Sequence, residues 1–182
     1  MIQRIIQFKN RIISRLIVLM CNLNPNIRIH KTVFIESGVV IRSQYGGKIN
    51  IGAHCYLSHG AQLLTHGGDI LIGDNSTINP YTIIYGQGST RIGNGVRIAA
   101  HCCIVPSNHI FSDTSRFIYQ QGLSKKGIII EDDVWLGSGV KVLDGVVISK
   151  GCIVGANAVV SKSTEAYSVY VGIPAKKIKD RK

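Results

Sequence analysis

From Ile130 the chain falls into six consecutive blocks of six residues, IEDDVW, LGSGVK, VLDGVV, ISKGCI, VGANAV and VSKSTE. An aliphatic residue opens every block: Ile130, Leu136, Val142, Ile148, Val154 and Val160. The fifth place of the first five is small or branched: Val134, Val140, Val146, Cys152 and Ala158. An amphipathic helix repeats near 3.6 residues and a two-sided strand at 2, so a strict period of six predicts one short strand and one corner per block. The register continues upstream in triplets that start at Ile29, Ile51, Ile72 and Ile92, and then at Ile130 and Ile148. The steps are 22, 21, 20, 38 and 18 residues; beyond three hexads they leave inserts of 4, 3, 2, 20 and 0, each after the third hexad. Three hexads therefore form one coil, and extra residues always leave from the same corner. The predicted object is a triangular prism of parallel strands, filled by the opening aliphatic and the small fifth residue. Stacking of neighbouring coils supplies the core that no coil has alone.

Ahead of the prism, residues 2–16 have helical periodicity, with Ile5, Ile12, Leu16 and Leu19 on one side. The apolar run from Leu16 to Cys21 is too short to span a bilayer. A basic amphipathic helix of this kind either packs on the prism or its neighbours, or lies on an anionic membrane. The predicted organisation is a helical segment over 1–24, a prism over 25–170 with an excursion at 110–129, and a basic C-terminal segment over 171–182.

At 182 residues and 45% hydrophobic, the chain suits one domain with a real core. A net charge of +11 raises nucleic acid, an anionic membrane or a polyanionic ligand as partner. Its distribution narrows the choice: residues 1–31 carry six basic residues and no acid, residues 171–182 carry five against Asp180, and the body between holds ten against nine. A near-neutral body argues against a nucleic-acid face, and 7% aromatic content disfavours an RNA-stacking sheet. With no CxxC pair, the five cysteines do not form a zinc ribbon or redox motif. Cys55, Cys102 and Cys152 take the inward fifth place and read as structural; Cys21 and Cys103 fall outside that pattern. Nothing resembles a cleaved signal peptide, so a cytoplasmic location is expected, at the inner face of a membrane if the helix binds one.

The hexads, Ser107-Asn108-His109 before the longest insert, the DVWLG run at Asp133–Gly137 and the ending Gly172-Ile173-Pro174-Ala175-Lys176-Lys177-Ile178 resemble the hexapeptide-repeat acyltransferases. Within them the chain is similar to the O-acetyltransferases of galactosides, maltose, xenobiotics and capsule or lipopolysaccharide. That resemblance implies a left-handed parallel β-helix, an all-β exception to the usual crossover hand. It also implies a homotrimer, acetyl-CoA as cosubstrate with no metal, and a carbohydrate acceptor, in surface-polysaccharide modification.

Of the six histidines, His109 matches the family's general base, on a loop that overhangs the adjacent subunit. Such a base suits the chemistry, since a sugar hydroxyl is a poor nucleophile and a near-neutral imidazole can take its proton as oxygen attacks a thioester. The oxyanion donor of relatives is a backbone N–H at the position of Ser138. Trp135, in the outward sixth place, is either an interface patch or a wall of the site. Ala156, Ser161 and Lys162 match positions along the pantetheine arm of coenzyme A. Ser163-Thr164-Glu165 then follows where relatives carry an acidic residue and a proline, a departure at the turn that holds Ser161. Lys176, Lys177 and Lys179 match a basic stretch near the coenzyme's phosphates, or form a solvated tail. Asn79 corresponds to an acceptor-binding asparagine, or is a turn residue before Pro80. Gln87 stands where relatives carry an acceptor-binding carboxylate. Asp113 either orients His109, contacts the sugar or is a solvated loop residue.

Other readings share the prism. A xenobiotic or a sugar amine is the alternative acceptor. His54 and His59 have the spacing of two zinc ligands in gamma-type carbonic anhydrases, but His30, His66 and His101 do not supply the third place. A non-catalytic scaffold is the remaining class, and the His109, Trp135 and GIPAK features argue against it.

Overall fold

The computed structural model describes residues 2–182, with side chains from Ile6 onward. The hexad openers stack into three parallel ladders. The first face aligns Ile29, Ile51, Ile72, Ile92, Ile130 and Ile148. The second aligns Ile35, Leu57, Ile78, Ile98, Leu136 and Val154, and the third Ile41, Leu63, Ile84, Ile104, Val142 and Val160. The result is a left-handed parallel β-helix whose first and third faces have six strands and whose second has eight.

The interior is what the period of six predicts. Apart from half-buried Ile41, every opener is buried, as are Val134, Val140, Val146, Cys152 and Ala158 in the fifth place. Each full burial contributes about 1.5–3 kcal/mol, repeated at every rung. Cys55 and Cys102 also line this column, and burial pushes both thiols up. The Cys55 thiol points 3.0 Å to the Gly73 carbonyl, as the Ser76 hydroxyl donates at 3.0 Å to Gly93. These are packed groups held against the next coil. Between the second and third faces the corner column Gly38, Gly60, Tyr81, His101, Gly139 and Asn157 has positive φ throughout. At Gly38 (φ +83°) a Cβ would lie 2.5 Å from the His59 ring, so a side chain there would displace that ring as well as strain the backbone.

Both ends of the stack are covered. A helix, α1 (Ile2–Asn22), lies under the first coil against Ile27–Ile29 and Phe34–Ile35. Phe34 and Glu36 donate their N–H groups forward to Cys55 and Leu57, which leaves the Ile35 N–H facing the end. The Ser14 hydroxyl accepts it at 2.8 Å, and the Asn22 amide closes both backbone groups of Ile29. At the far end Ser168–Val171 pairs antiparallel with Lys176–Asp180, which removes another bare sheet edge.

Three details go beyond the sequence pattern. The packed side of α1 is Ser14, Ile17, Val18 and Cys21, whereas Ile12, Leu16 and Leu19 are exposed; Ile5 lies outside the described side chains. The periodicity marks one apolar side, but the packed side also carries apolar residues and presents the Ser14 hydroxyl to the Ile35 N–H. The excursion begins before residue 110 and ends before 129. Asn108–His109 already pairs antiparallel with Leu123–Ser124, while Ile128–Ile130 is back in the first face opposite Thr90–Ile92. Finally, 171–182 is not a separate tail, because its first residue closes the strand Ser168–Val171 and five more form that strand's partner.

Candidate active site

The twenty-residue insert forms an arm anchored on both legs. On the outgoing leg the buried Ser107 hydroxyl donates to the Gln87 side-chain oxygen at 3.1 Å. On the return leg Asp144 accepts the backbone N–H groups of Lys126 and Gly127 at 2.9 Å each, and the Ser124 hydroxyl at 2.9 Å. Asp144 is absent from the residues that sequence reasoning selects; its signal is an Asp-Gly corner one coil above the insert. His109 thus stands on a short ribbon just beyond a rigid root, exposed, opposite Leu123. Among the described residues no side chain hydrogen-bonds its imidazole.

Asp113 does not orient His109. Its carboxylate accepts the N–H and the hydroxyl of Ser115 at 3.0 and 2.6 Å, and those bonds hold its pKa below the usual range. It folds the arm's own turn, because a short acceptor two residues before an unpaired N–H closes a local ring more readily than it reaches across the ribbon. The tip beyond it is apolar and exposed, with Phe117 and Tyr119 stacked at 5.9 Å, and Phe111 before it is exposed as well.

The remaining candidates divide between the two edges of the third face. Gln87, Ser107, His109, Ser161 and Lys162 lie along the insert corner, which separates the third face from the first. Asn79, Ser138 and Ala156 lie along the opposite edge, after the second-face strands Thr77–Ile78, Trp135–Leu136 and Ile153–Val154. Asn79 and Gln87 therefore do not share a site within one prism, and the Asn79 amide donates at 2.7 Å to the Ile98 carbonyl. Ser138 donates its hydroxyl to Ala100 at 2.9 Å, while among the described residues no acceptor takes its N–H. Between the edges runs an outward row of half-buried Val40, Gln62, Ile83, Cys103 and Val159, broken by exposed Lys141. Such a flat and largely apolar face becomes a cleft only against a second surface.

Trp135 is 52% exposed on the second face, in register with Arg97 below and Ile153 above. Lys176 and Lys179 extend that face in the terminal strand, but Lys177 turns to Glu165 and Asp180 at 2.7 and 2.8 Å. Those two carboxylates hold its ammonium charged and occupied, so Lys177 is a brace for the last coil rather than a free cation. Arg181 braces the same end through Asp133 at 2.9 Å. His54 and His59 sit at different corners of one coil; the His59 Nδ1 is 2.6 Å from the Ser37 carbonyl.

A stacked prism with a histidine-bearing arm at one fixed corner defines the class of transferases built on hexapeptide repeats. The family model described as bacterial transferase hexapeptide (six repeats) matches residues 127–162. A protein of Mycobacterium tuberculosis named as a probable acetyltransferase is 32% identical over 87% of this chain; the chain spans only 53% of that relative's length. An Escherichia coli protein named for O-acetyl transfer in lipopolysaccharide biosynthesis is 35% identical over 73% of this chain and 72% of its own. Among solved structures, an N-acyltransferase from Bacillus cereus in complex with dTDP-4-amino-4,6-dideoxyglucose and coenzyme A superposes with a TM-score of 0.73. It is 25% identical, and the match covers 86% of this chain and 84% of the other. The chain belongs to the hexapeptide-repeat acyltransferase family.

Proposed function

We propose that the protein transfers an acetyl group from acetyl-CoA to a sugar hydroxyl of a surface polysaccharide such as capsule, O-antigen or exopolysaccharide, working as a cytoplasmic homotrimer. The observation that carries this reading is His109 on an exposed arm, rooted through Ser107 to Gln87 at the edge of the third face. In the proposed reaction the acceptor hydroxyl gives its proton to the His109 imidazole as its oxygen attacks the thioester carbonyl. The Ser138 N–H from a neighbouring prism meets the oxyanion. Collapse expels the thiolate, which takes the proton back, and leaves coenzyme A and an acetyl ester. The pantetheine arm lies between prisms along Ala156, Ser161 and Lys162, and Lys176 and Lys179 meet the phosphates. Gln87 binds the acceptor without adding charge.

A second reading has a specific observation behind it. A dTDP-4-amino-4,6-dideoxy-D-glucose acyltransferase of Escherichia coli is 30% identical over 75% of this chain and 70% of its own, so a sugar amine is the competing nucleophile. One assay separates the two. Thiol release from acetyl-CoA is followed over free glycans, lipid-linked glycans, nucleotide sugars and nucleotide amino sugars, and each product is treated with hydroxylamine. An ester is cleaved and an amide survives. Hydroxylamine-labile product from glycans is the expected result; turnover confined to amino sugars with a stable product would replace O-transfer by N-transfer.

A further inference from the structure

The exposed side of α1 is apolar, and it faces away from the prism. Phe8, Ile12, Leu16 and Leu19 fall within an arc of about 80° at 3.6 residues per turn, and exposed Leu23 follows just past the helix end. Phe8 is 67% exposed, Leu16 53%, Leu19 64% and Leu23 84%. The opposite side, Ser14 and Val18, is the one fastened to the first coil. Because the helix lies across the end of the stack, this face forms the terminal surface of the molecule, well removed along the axis from the arm.

Charge identifies what it meets. Along one margin of the apolar arc runs a groove of about 530 Å³ between α1 and the first coil. Arg11, Arg15 and Lys31 stand over a floor that includes Val18, Leu19 and Phe34, and no carboxylate lines it among the described residues. Residues 1–31 carry no acid at all. Phosphates beside aliphatic chains complement such a groove, cations to the headgroup level and apolar side chains to the acyl boundary. A two-fold contact between copies through this face would instead set its basic margins on one another. No helix among the described residues is long and apolar enough to cross a membrane, so the contact lies in the interface.

We propose that α1 is a peripheral membrane-docking element, which seats its Phe8–Ile12–Leu16–Leu19 face in a bilayer surface while Arg11, Arg15 and Lys31 take the phosphates of anionic phospholipids. The inference is independent of acetyl transfer, and its test has no catalytic readout. The full chain is floated with vesicles of phosphatidylcholine alone or of phosphatidylcholine with phosphatidylglycerol, and its oligomeric state is read by light scattering. The wild type should bind the anionic vesicles, release with salt, and bind the neutral ones far less. Arg11→Gln with Arg15→Gln should weaken partitioning by about thirtyfold, and Leu16→Ser with Leu19→Ser should lose it, both with unchanged oligomeric state and melting. Failure of the wild type to bind anionic vesicles would overturn the proposal. So would equal binding by the arginine variant, or dissociation of the leucine variant into smaller species, which would make the face a subunit contact. Release by inorganic phosphate alone would reduce the groove to an anion site and overturn it likewise.

Discussion

Among the described residues no hydrogen bond holds the His109 ring, and Asp113, the nearest carboxylate in sequence, is engaged by Ser115. In the proposed mechanism His109 contributes proton transfer, and the acceptor or a neighbouring subunit would complete its orientation. Replacing His109 with Ala should therefore lower turnover by about 10²–10⁴-fold. Its exposed ring contributes nothing to the core, so the melting transition and coenzyme A binding should be unchanged. Thiol release, calorimetric titration and thermal melting measure the three, and full activity in this variant would remove His109 from the mechanism. The residue scale is also where sequence reasoning meets its limit. Counting hexads assigns Gln87 and Asn79 each to a coil and a corner, yet not to the Ser107 hydroxyl and the Ile98 carbonyl that hold them. Asp144 escapes because its role, accepting two N–H groups of the arm, depends on a coil that follows in sequence and stacks in space.

At the scale of elements, periodicity is strongest where packing repeats and silent where it does not. Every ladder is legible because each opener meets an equivalent residue above and below. The ribbon that carries His109 is invisible to the same count, since Asn108–His109 and Leu123–Ser124 pair antiparallel, the first exposed and the second only half-buried. The orientation of α1 is hidden for the opposite reason: it offers apolar residues on both sides, and Ser14 and Asn22 choose between them through bonds to the first coil. The arm is thus an appendage to a continuous ladder. Thr90–Ile92 lies in register with Ile128–Ile130, so the first-face ladder continues past the point where the arm leaves. Replacing 108–125 by a short turn should leave strand content intact by circular dichroism and thermal melting close to that of the wild type, while acetyl transfer is lost. Collapse of the fold in that variant would mean that the arm is part of the core.

The whole molecule is a one-dimensional stack with a cover at each end, and its stability should depend on where along the axis it is disturbed. Ile98 is fully buried in the fourth coil, with Ile78 on one side and Leu136 on the other in the same ladder. A cavity there is walled by two coils whose backbones are fixed by their own ladders, so relaxation is small. Ile29 opens the first coil, with Ile51 on one side and α1, the more adjustable element, on the other. Ile98→Ala should cost toward the upper part of the ~2–5 kcal/mol range for such truncations, and Ile29→Ala toward its lower part. Coupling between coils is nearest-neighbour, so weakening the fourth coil also loosens the third and fifth coils, which hold the two legs of the arm through Gln87 and Asp144. Urea denaturation with a backbone probe, together with hydrogen exchange resolved by coil, reads both effects. Exchange should rise on both sides of residue 98 in the first variant and stay confined to α1 and the first coil in the second. Equal costs with uniform exchange would mean that the prism unfolds as one block, and that its ends are as rigid as its middle.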